Sequence, residues 1–233
     1  MNSDTNDIFN NDFSLKYDAS NARFKAINDN LHFLISLLLK DLPTNARLLC
    51  VGVGTGSEII YLASRFPGWH FTGVDPSPDM LAVCASKLRQ AKTDDRCVLI
   101  QGYLNDVPAV AEYDAILCLL VTHFIQQNDR GGIYHQMAAR LKSSGQIIVA
   151  EIAGEMAADN FDTALASWAA LQGIAGESAP TPAVLRNQLQ ARLLLLPPAR
   201  TEALMIDAGF SAPHHFFQSL LIHGWAAQYP GKR

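Results

Sequence analysis

Several features are scarce in this chain, and each scarcity narrows what it can be. The 233 residues contain only four cysteines (Cys50, Cys84, Cys97 and Cys118), and none forms a C-x-x-C pair. That excludes a disulfide framework and a thiolate zinc site, and it points to reduced core thiols in a cytosolic protein. Charged residues make up 17% of the chain, with a formal net charge of −4, and the 18 Lys and Arg stand apart from one another. Without a basic run there is no electrostatic track for a polynucleotide, so nucleic acid is disfavoured as a partner. The longest apolar stretch, Leu31 to Leu39, is shorter than the ~20 residues a membrane helix needs. The first dozen residues are rich in Asn, Asp and Ser and lack the basic-then-apolar pattern of a secretory leader. The expectation is a cytoplasmic protein with no membrane association. There is no H-x-x-x-H motif, Cys/His cluster or nucleophile elbow, so neither a metal nor a serine triad is expected.

What remains is organised around Leu48-Leu49-Cys50-Val51-Gly52-Val53-Gly54-Thr55-Gly56-Ser57. An apolar run ends in alternating glycines, and an amphipathic segment follows at once. This is the pattern of a buried strand, a tight turn and a helix start. Such a turn lets backbone approach a ligand and aims the free N–H groups of the helix at it. A second apolar strand ends about twenty residues later in Asp75, where a carboxylate can receive the two hydroxyls of a ribose. A nucleoside-containing cofactor is the first inference.

Around that turn, strands alternate with helices. Residues 1–12 read as a flexible arm, and 13–233 as one domain. Phe13 to Lys40 reads as a helix closed by Pro43. Strands are expected at 47–51, 69–74, 97–101, 113–119 and 145–152, with helices at 57–66, 77–92 and 129–142. After strand five an Ala- and Leu-rich helical stretch at about 153–198 interrupts the alternation. Being at the carboxyl end of a strand, it is a cap over the ligand crevice or, alternatively, extra core or a dimer face. A helix at 200–208 leads to two strands, 214–219 and 220–228, with no room for a crossover helix, so the pair must be antiparallel. The expected fold is α/β: a Rossmann-like, seven-stranded, mostly parallel sheet ending in an antiparallel hairpin, with helices on both faces and a helical cap after strand five.

Four features resemble the class I S-adenosylmethionine-dependent methyltransferases. They are the G-x-G-x-G spacing of Gly52, Gly54 and Gly56, the acidic run Gly73-Val74-Asp75-Pro76, the triplet Ala208-Gly209-Phe210, and the terminal hairpin. Nicotinamide binders would instead place a glycine at Ser57. The resemblance implies S-adenosyl-L-methionine as cofactor, a small-molecule acceptor and transfer of a methyl group. It implies that Gly52, Gly54, Thr55 and Gly56 cradle the cofactor's amino-acid end, and that Asp75 holds its ribose. Pro76, Met80, Tyr103 and Leu104 would then meet the adenine, Leu119 the methionine moiety, and Tyr17 would close over the site. Cys50 and Tyr103 replace acidic residues frequent in the family. Candidate catalytic residues are His123, directly after strand four, and Glu151, at the end of strand five. Each also has a structural alternative, a hydrogen-bonded histidine and a loop cap. Arg186, in the cap, is a candidate for an acidic acceptor or simply a solvated helix face. Its spacing before Ala208-Gly209-Phe210 also resembles carboxy-S-adenosylmethionine synthases. A nucleotide-dependent (NAD-type) oxidoreductase and a catalytically silent cofactor-binding or dimerisation module are the remaining alternatives, and a homodimer is a candidate assembly.

Overall fold

The computed structural model describes residues 22–173 and 180–231, and the elements assigned here belong to those residues. Seven strands form one sheet: β1 (Arg47–Val51), β2 (His70–Asp75), β3 (Cys97–Gln101), β4 (Tyr113–Leu119), β5 (Leu141–Ile152), β6 (His214–Ser219) and β7 (Ile222–Gln228). Their order across the sheet is β3-β2-β1-β4-β5-β7-β6. The first five run parallel, whereas β7 pairs antiparallel with both β5 and β6. The chain reverses direction across the sheet between β1 and β4, and a crevice opens there at the carboxyl ends of the strands.

The strands read as continuous apolar runs because helices cover both faces. In β1, Leu48 and Cys50 face one core while Leu49 and Val51 face the other, as a period of two requires. The first core packs α1 (Lys25–Leu38), α2 (Ser57–Arg65) and α3 (Pro78–Gln90) through Leu31, Ile59, Leu62 and Leu88. The second packs α4 (Gln127–Ala138) and α7 (Pro198–Asp207) through Tyr134, Met137, Leu204 and Met205. Between β5 and α7 lie α5 (Phe161–Gly173) and α6 (Pro182–Arg192). They join the first core through Trp168, Leu185 and Leu189.

The expected elements are present with shifted ends. The first helix is described only from Lys25, after a 3-10 turn at Ala22–Phe24; its expected start at Phe13, the arm before it and Tyr17 lie outside the described residues. Strand β5 starts at Leu141 rather than at residue 145, because Leu141 pairs with Tyr113 ahead of a register shift in the β4 partner. Among the described residues, no helix is long and apolar enough to cross a membrane, and no group of three or more His, Cys, Asp and Glu could hold a metal ion.

Candidate cofactor and acceptor site

Three glycines at the end of β1 adopt positive φ: 68° at Gly52, 50° at Gly54 and 77° at Gly56. Side chains rarely tolerate that conformation. At Gly56 a Cβ would also lie 2.5 Å from Cys84 Sγ, and at Gly52 it would lie 2.3 Å from Val121 Cγ2. At Gly54 it would meet nothing within 4 Å. The first and third glycines are therefore demanded by packing from behind, while the middle one faces open space. The turn is held by the Gly52 and Val53 amides, which donate to the Val74 carbonyl at 2.8 and 3.1 Å.

Asp75 closes the neighbouring strand. Its Oδ2 accepts from the Gly54 amide and its Oδ1 from the Ser77 amide, both at 2.9 Å. One amide per oxygen fixes the carboxylate yet leaves a lone pair on each oxygen for a further donor, as a vicinal diol supplies. Burial raises the carboxyl pKa, and the two amide bonds act against that shift. Ser77 then caps α3, accepting from the Met80 amide at 3.3 Å.

These groups line a cavity of about 720 Å³, ample for a nucleoside cofactor together with a second small molecule. Of the expected cofactor residues, Gly52, Gly54, Thr55, Gly56, Asp75, Pro76, Met80, Tyr103, Leu104 and Leu119 all line it. The residues fit a sulfonium nucleoside. The open face at Gly54 admits backbone contact, Asp75 has acceptor capacity to spare, and Met80, Tyr103 and Leu104 offer an apolar slot on the β3 side. Trp168, Leu185, Leu189 and Leu193 form another wall, so α5 and α6 face the same cavity as the glycine turn.

His123 also lines the cavity, from a 3-10 turn (Thr122–Phe124) after β4. Its Nδ1 accepts from the Ile152 amide at 3.2 Å. A neutral ring that accepts at Nδ1 carries its proton on Nε2. Burial, with Arg130 nearby, lowers the ring's pKa to about 3. One ring nitrogen is thus occupied and the other protonated, an arrangement that fits the hydrogen-bonded histidine of the two expected alternatives.

Glu151 and Arg186 lie elsewhere. Glu151 is fully buried behind the cavity wall, where its carboxylate accepts from the hydroxyls of Thr122 and Thr201. Arg130 Nη1 stands 3.6 Å from its Oε2, and both side chains are inaccessible to solvent. This is a structural ion pair, so Glu151 cannot reach an acceptor. Arg186 donates to the Met156 carbonyl at 3.1 Å, pairs with Asp162 and stacks over Phe161. It ties α6 to α5 and does not line the cavity.

Other residues in the wall had weak signatures in the sequence. Asn28, Leu31 and His32 present one face of α1 to the cavity, and their i, i+3, i+4 spacing was the available signal. Burial lowers the His32 pKa to about 4, against the pull of Asp29. Glu58, at the start of α2, also lines the cavity; in the sequence it looks like any acidic residue opening a helix.

Comparison with known proteins agrees with this geometry. A family model described as a methyltransferase domain matches residues 48–145. A ribosomal RNA large subunit methyltransferase F of Desulfotalea psychrophila is 28% identical over 105 residues, 39% of this chain and 33% of its own. A carboxy-S-adenosyl-L-methionine synthase of Campylobacter jejuni is 29% identical over 128 residues, covering 53% of this chain and 51% of that protein. The chain thus matches about half or less of these relatives' length. Among solved structures, a geranyl diphosphate C-methyltransferase from Streptomyces coelicolor, in complex with Mg2+, geranyl diphosphate and S-adenosyl-L-homocysteine, shares the fold. Its TM-score is 0.65 at 13% identity, over 88% of this chain and 80% of that one. With the glycine turn, the Asp75 carboxylate and the antiparallel terminal hairpin in place, residues 48–145 are similar to a methyltransferase domain, and the chain shares the fold of S-adenosylmethionine-dependent methyltransferases.

Proposed function

We propose that this protein transfers a methyl group from S-adenosylmethionine to a small molecule held beneath α5 and α6. One observation carries the reading: a single cavity has the glycine turn and Asp75 on one side and the apolar residues Trp168, Leu185, Leu189 and Leu193 on the other. When bound, the sulfonium supplies an electrophilic methyl group for in-line displacement by the acceptor. The protein's share is to hold two molecules in line and to keep water out. Asp75 anchors the ribose, the turn receives the amino-acid end, and the apolar wall of the cap selects the acceptor. His123 Nε2–H, next to Leu119 and Val121 at the end of β4, donates a hydrogen bond that orients a polar atom of the acceptor.

The net charge of −4 and a cavity wall without Lys or Arg among the described residues favour a small molecule over a polynucleotide. A carboxylated sulfonium would need a cation, and Arg186 is committed to Asp162 and Met156. The carboxy-S-adenosylmethionine synthase reading is disfavoured for that reason. Thermal shift with S-adenosylmethionine, S-adenosylhomocysteine and NAD tests the proposal. Ligand at a hundred times its Kd adds roughly 2.7 kcal/mol to stability. Both sulfur nucleosides should therefore raise Tm, and stabilisation by NAD alone would refute the reading.

A further inference from the structure

Resting on that reading, one cavity carboxylate beside the glycine turn has no role assigned to it. Glu58 follows the glycine turn in the first turn of α2, and its side chain lines the cavity. Among the described residues it makes no ion pair. The other two carboxylates in the wall stand apart from the glycine turn's amino-acid end. Asp75 receives the Gly54 and Ser77 amides. Asp129 opens α4, the helix that packs on the 3-10 turn at Leu104–Asp106, on the β3 side of the cavity.

The strand order decides what meets Glu58. Across the crevice it runs β3, β2, β1, β4. A nucleoside with its ribose on Asp75 at the end of β2 has the slot of Tyr103 and Leu104 on one side, where the base fits. Its other end must run over the glycine turn after β1, past the start of α2. For S-adenosylmethionine and S-adenosylhomocysteine that end is an amino acid, and its ammonium needs an anion. Cys50, in the strand just before the turn, cannot serve, because burial and the nearby Glu58 hold its thiol neutral, well above the usual range.

We propose that Glu58 is the counter-ion of the cofactor's ammonium group, the acidic partner that the strand end at Cys50 does not provide. The environment gives this contact a measurable signature. Burial and the neighbouring Asp75 push the Glu58 carboxyl up to about 7, against Lys87 and the residue's own amide, which pull it down. The groups around it are Asp75 on β2, Cys84 and Lys87 on α3, Cys50 on β1 and Cys97 on β3. The three thiols stay neutral in the working range, because burial raises each of them. Below pH 7 the free protein carries a protonated Glu58, and an arriving ammonium must displace that proton. Affinity therefore rises with pH up to the free-state pKa and then levels off. The ligand's own α-amino group titrates at about 7.7–8.0 and stays charged over most of this range.

The test is calorimetric titration of S-adenosylhomocysteine into wild-type protein and Glu58→Gln between pH 5.5 and 7.5. This ligand keeps the ammonium and lacks the sulfonium, so it isolates the contact. For the wild type, Kd should fall roughly twentyfold across that interval, from linkage to one group titrating near 7. For Glu58→Gln, Kd should be flat with pH and at least about tenfold weaker at pH 7.5, the loss of one charge-assisted contact. A desamino analogue should bind both proteins alike at every pH. Parallel pH profiles for wild type and Glu58→Gln would overturn the assignment, as would an analogue that keeps the pH dependence. Absence of binding by folded wild-type protein would refute the cofactor reading itself, and this inference with it.

Discussion

Replacing Glu151 by Gln should destabilise the protein by about 3–5 kcal/mol, the usual cost of leaving a buried charge without its partner. The magnitude follows from the surroundings of Arg130. Its side chain is wholly buried, with Nη2 donating to the carbonyls of Ile125 at 3.0 Å and Leu194 at 2.6 Å. Among the described residues, its Nε and Nη1 have no hydrogen-bond partner. The positive charge is therefore balanced across 3.6 Å by Glu151. A Gln in that place keeps an acceptor oxygen for one of the Thr122 and Thr201 hydroxyls, donates from its amide nitrogen to the other, and removes the charge. Since domains are stable by only about 5–15 kcal/mol, the single variant loses roughly a fifth or more of the total. Removing the cation as well, in Arg130→Met/Glu151→Gln, should recover part of the loss, because no buried charge then remains uncompensated. Urea unfolding of the wild type, both singles and the double variant measures this. At unchanged m-value, the midpoints give the free energies, and the cycle gives the coupling. A Glu151→Gln variant within about 1 kcal/mol of wild type would refute the argument, since it would mean that the pair carries no net charge to separate. The consequence reaches the cavity, because Arg130 pins both the segment after α6, at Leu194, and the turn that presents His123.

Three further outcomes follow. Asp75→Ala should weaken S-adenosylhomocysteine binding more than tenfold, since a hydrogen bond to a charged group contributes roughly 1.5–3 kcal/mol; unchanged calorimetric affinity would remove Asp75 from the ribose site. Gly56→Ala should cost about 2–3 kcal/mol, from a left-handed backbone and a Cβ driven into Cys84 Sγ. Cys84→Ala added to it should restore the packing share of that loss but not the backbone share, and equal Tm values for single and double variants would show that the sulfur is not the obstacle. His123 should remain the neutral Nε2–H tautomer from pH 5 to 8, because its pKa lies near 3; an imidazole titrating near 6.5 in nitrogen-detected NMR, and vanishing in His123→Phe, would restore it as a base.

The readable parts of this molecule were those whose causes lie close together in the chain. Strand β1, the glycine turn and α2 are consecutive, and the backbone demands at Gly52 and Gly56 are local enough to leave a spacing pattern. The terminal hairpin followed from a simple shortage of residues between two strands. The site residues that misled were those whose behaviour is set by a distant partner. Arg186 reads as a free cation until Asp162, 24 positions earlier, and the Met156 carbonyl occupy its guanidinium. Glu151 reads as a carboxylate at a strand end until Thr201 and Arg130 enclose it. His123 sits where a base would be useful, yet the Ile152 amide, 29 positions away, selects its tautomer. Glu58 shows the converse. Its sequence context suggests only a helix-opening acid, and its charge becomes informative once the sheet brings Asp75 and three thiols around it. Position along the chain places a titratable group near a site. Whether that group donates, accepts or stays silent depends on which distant amide, carbonyl or charge the fold sets against it.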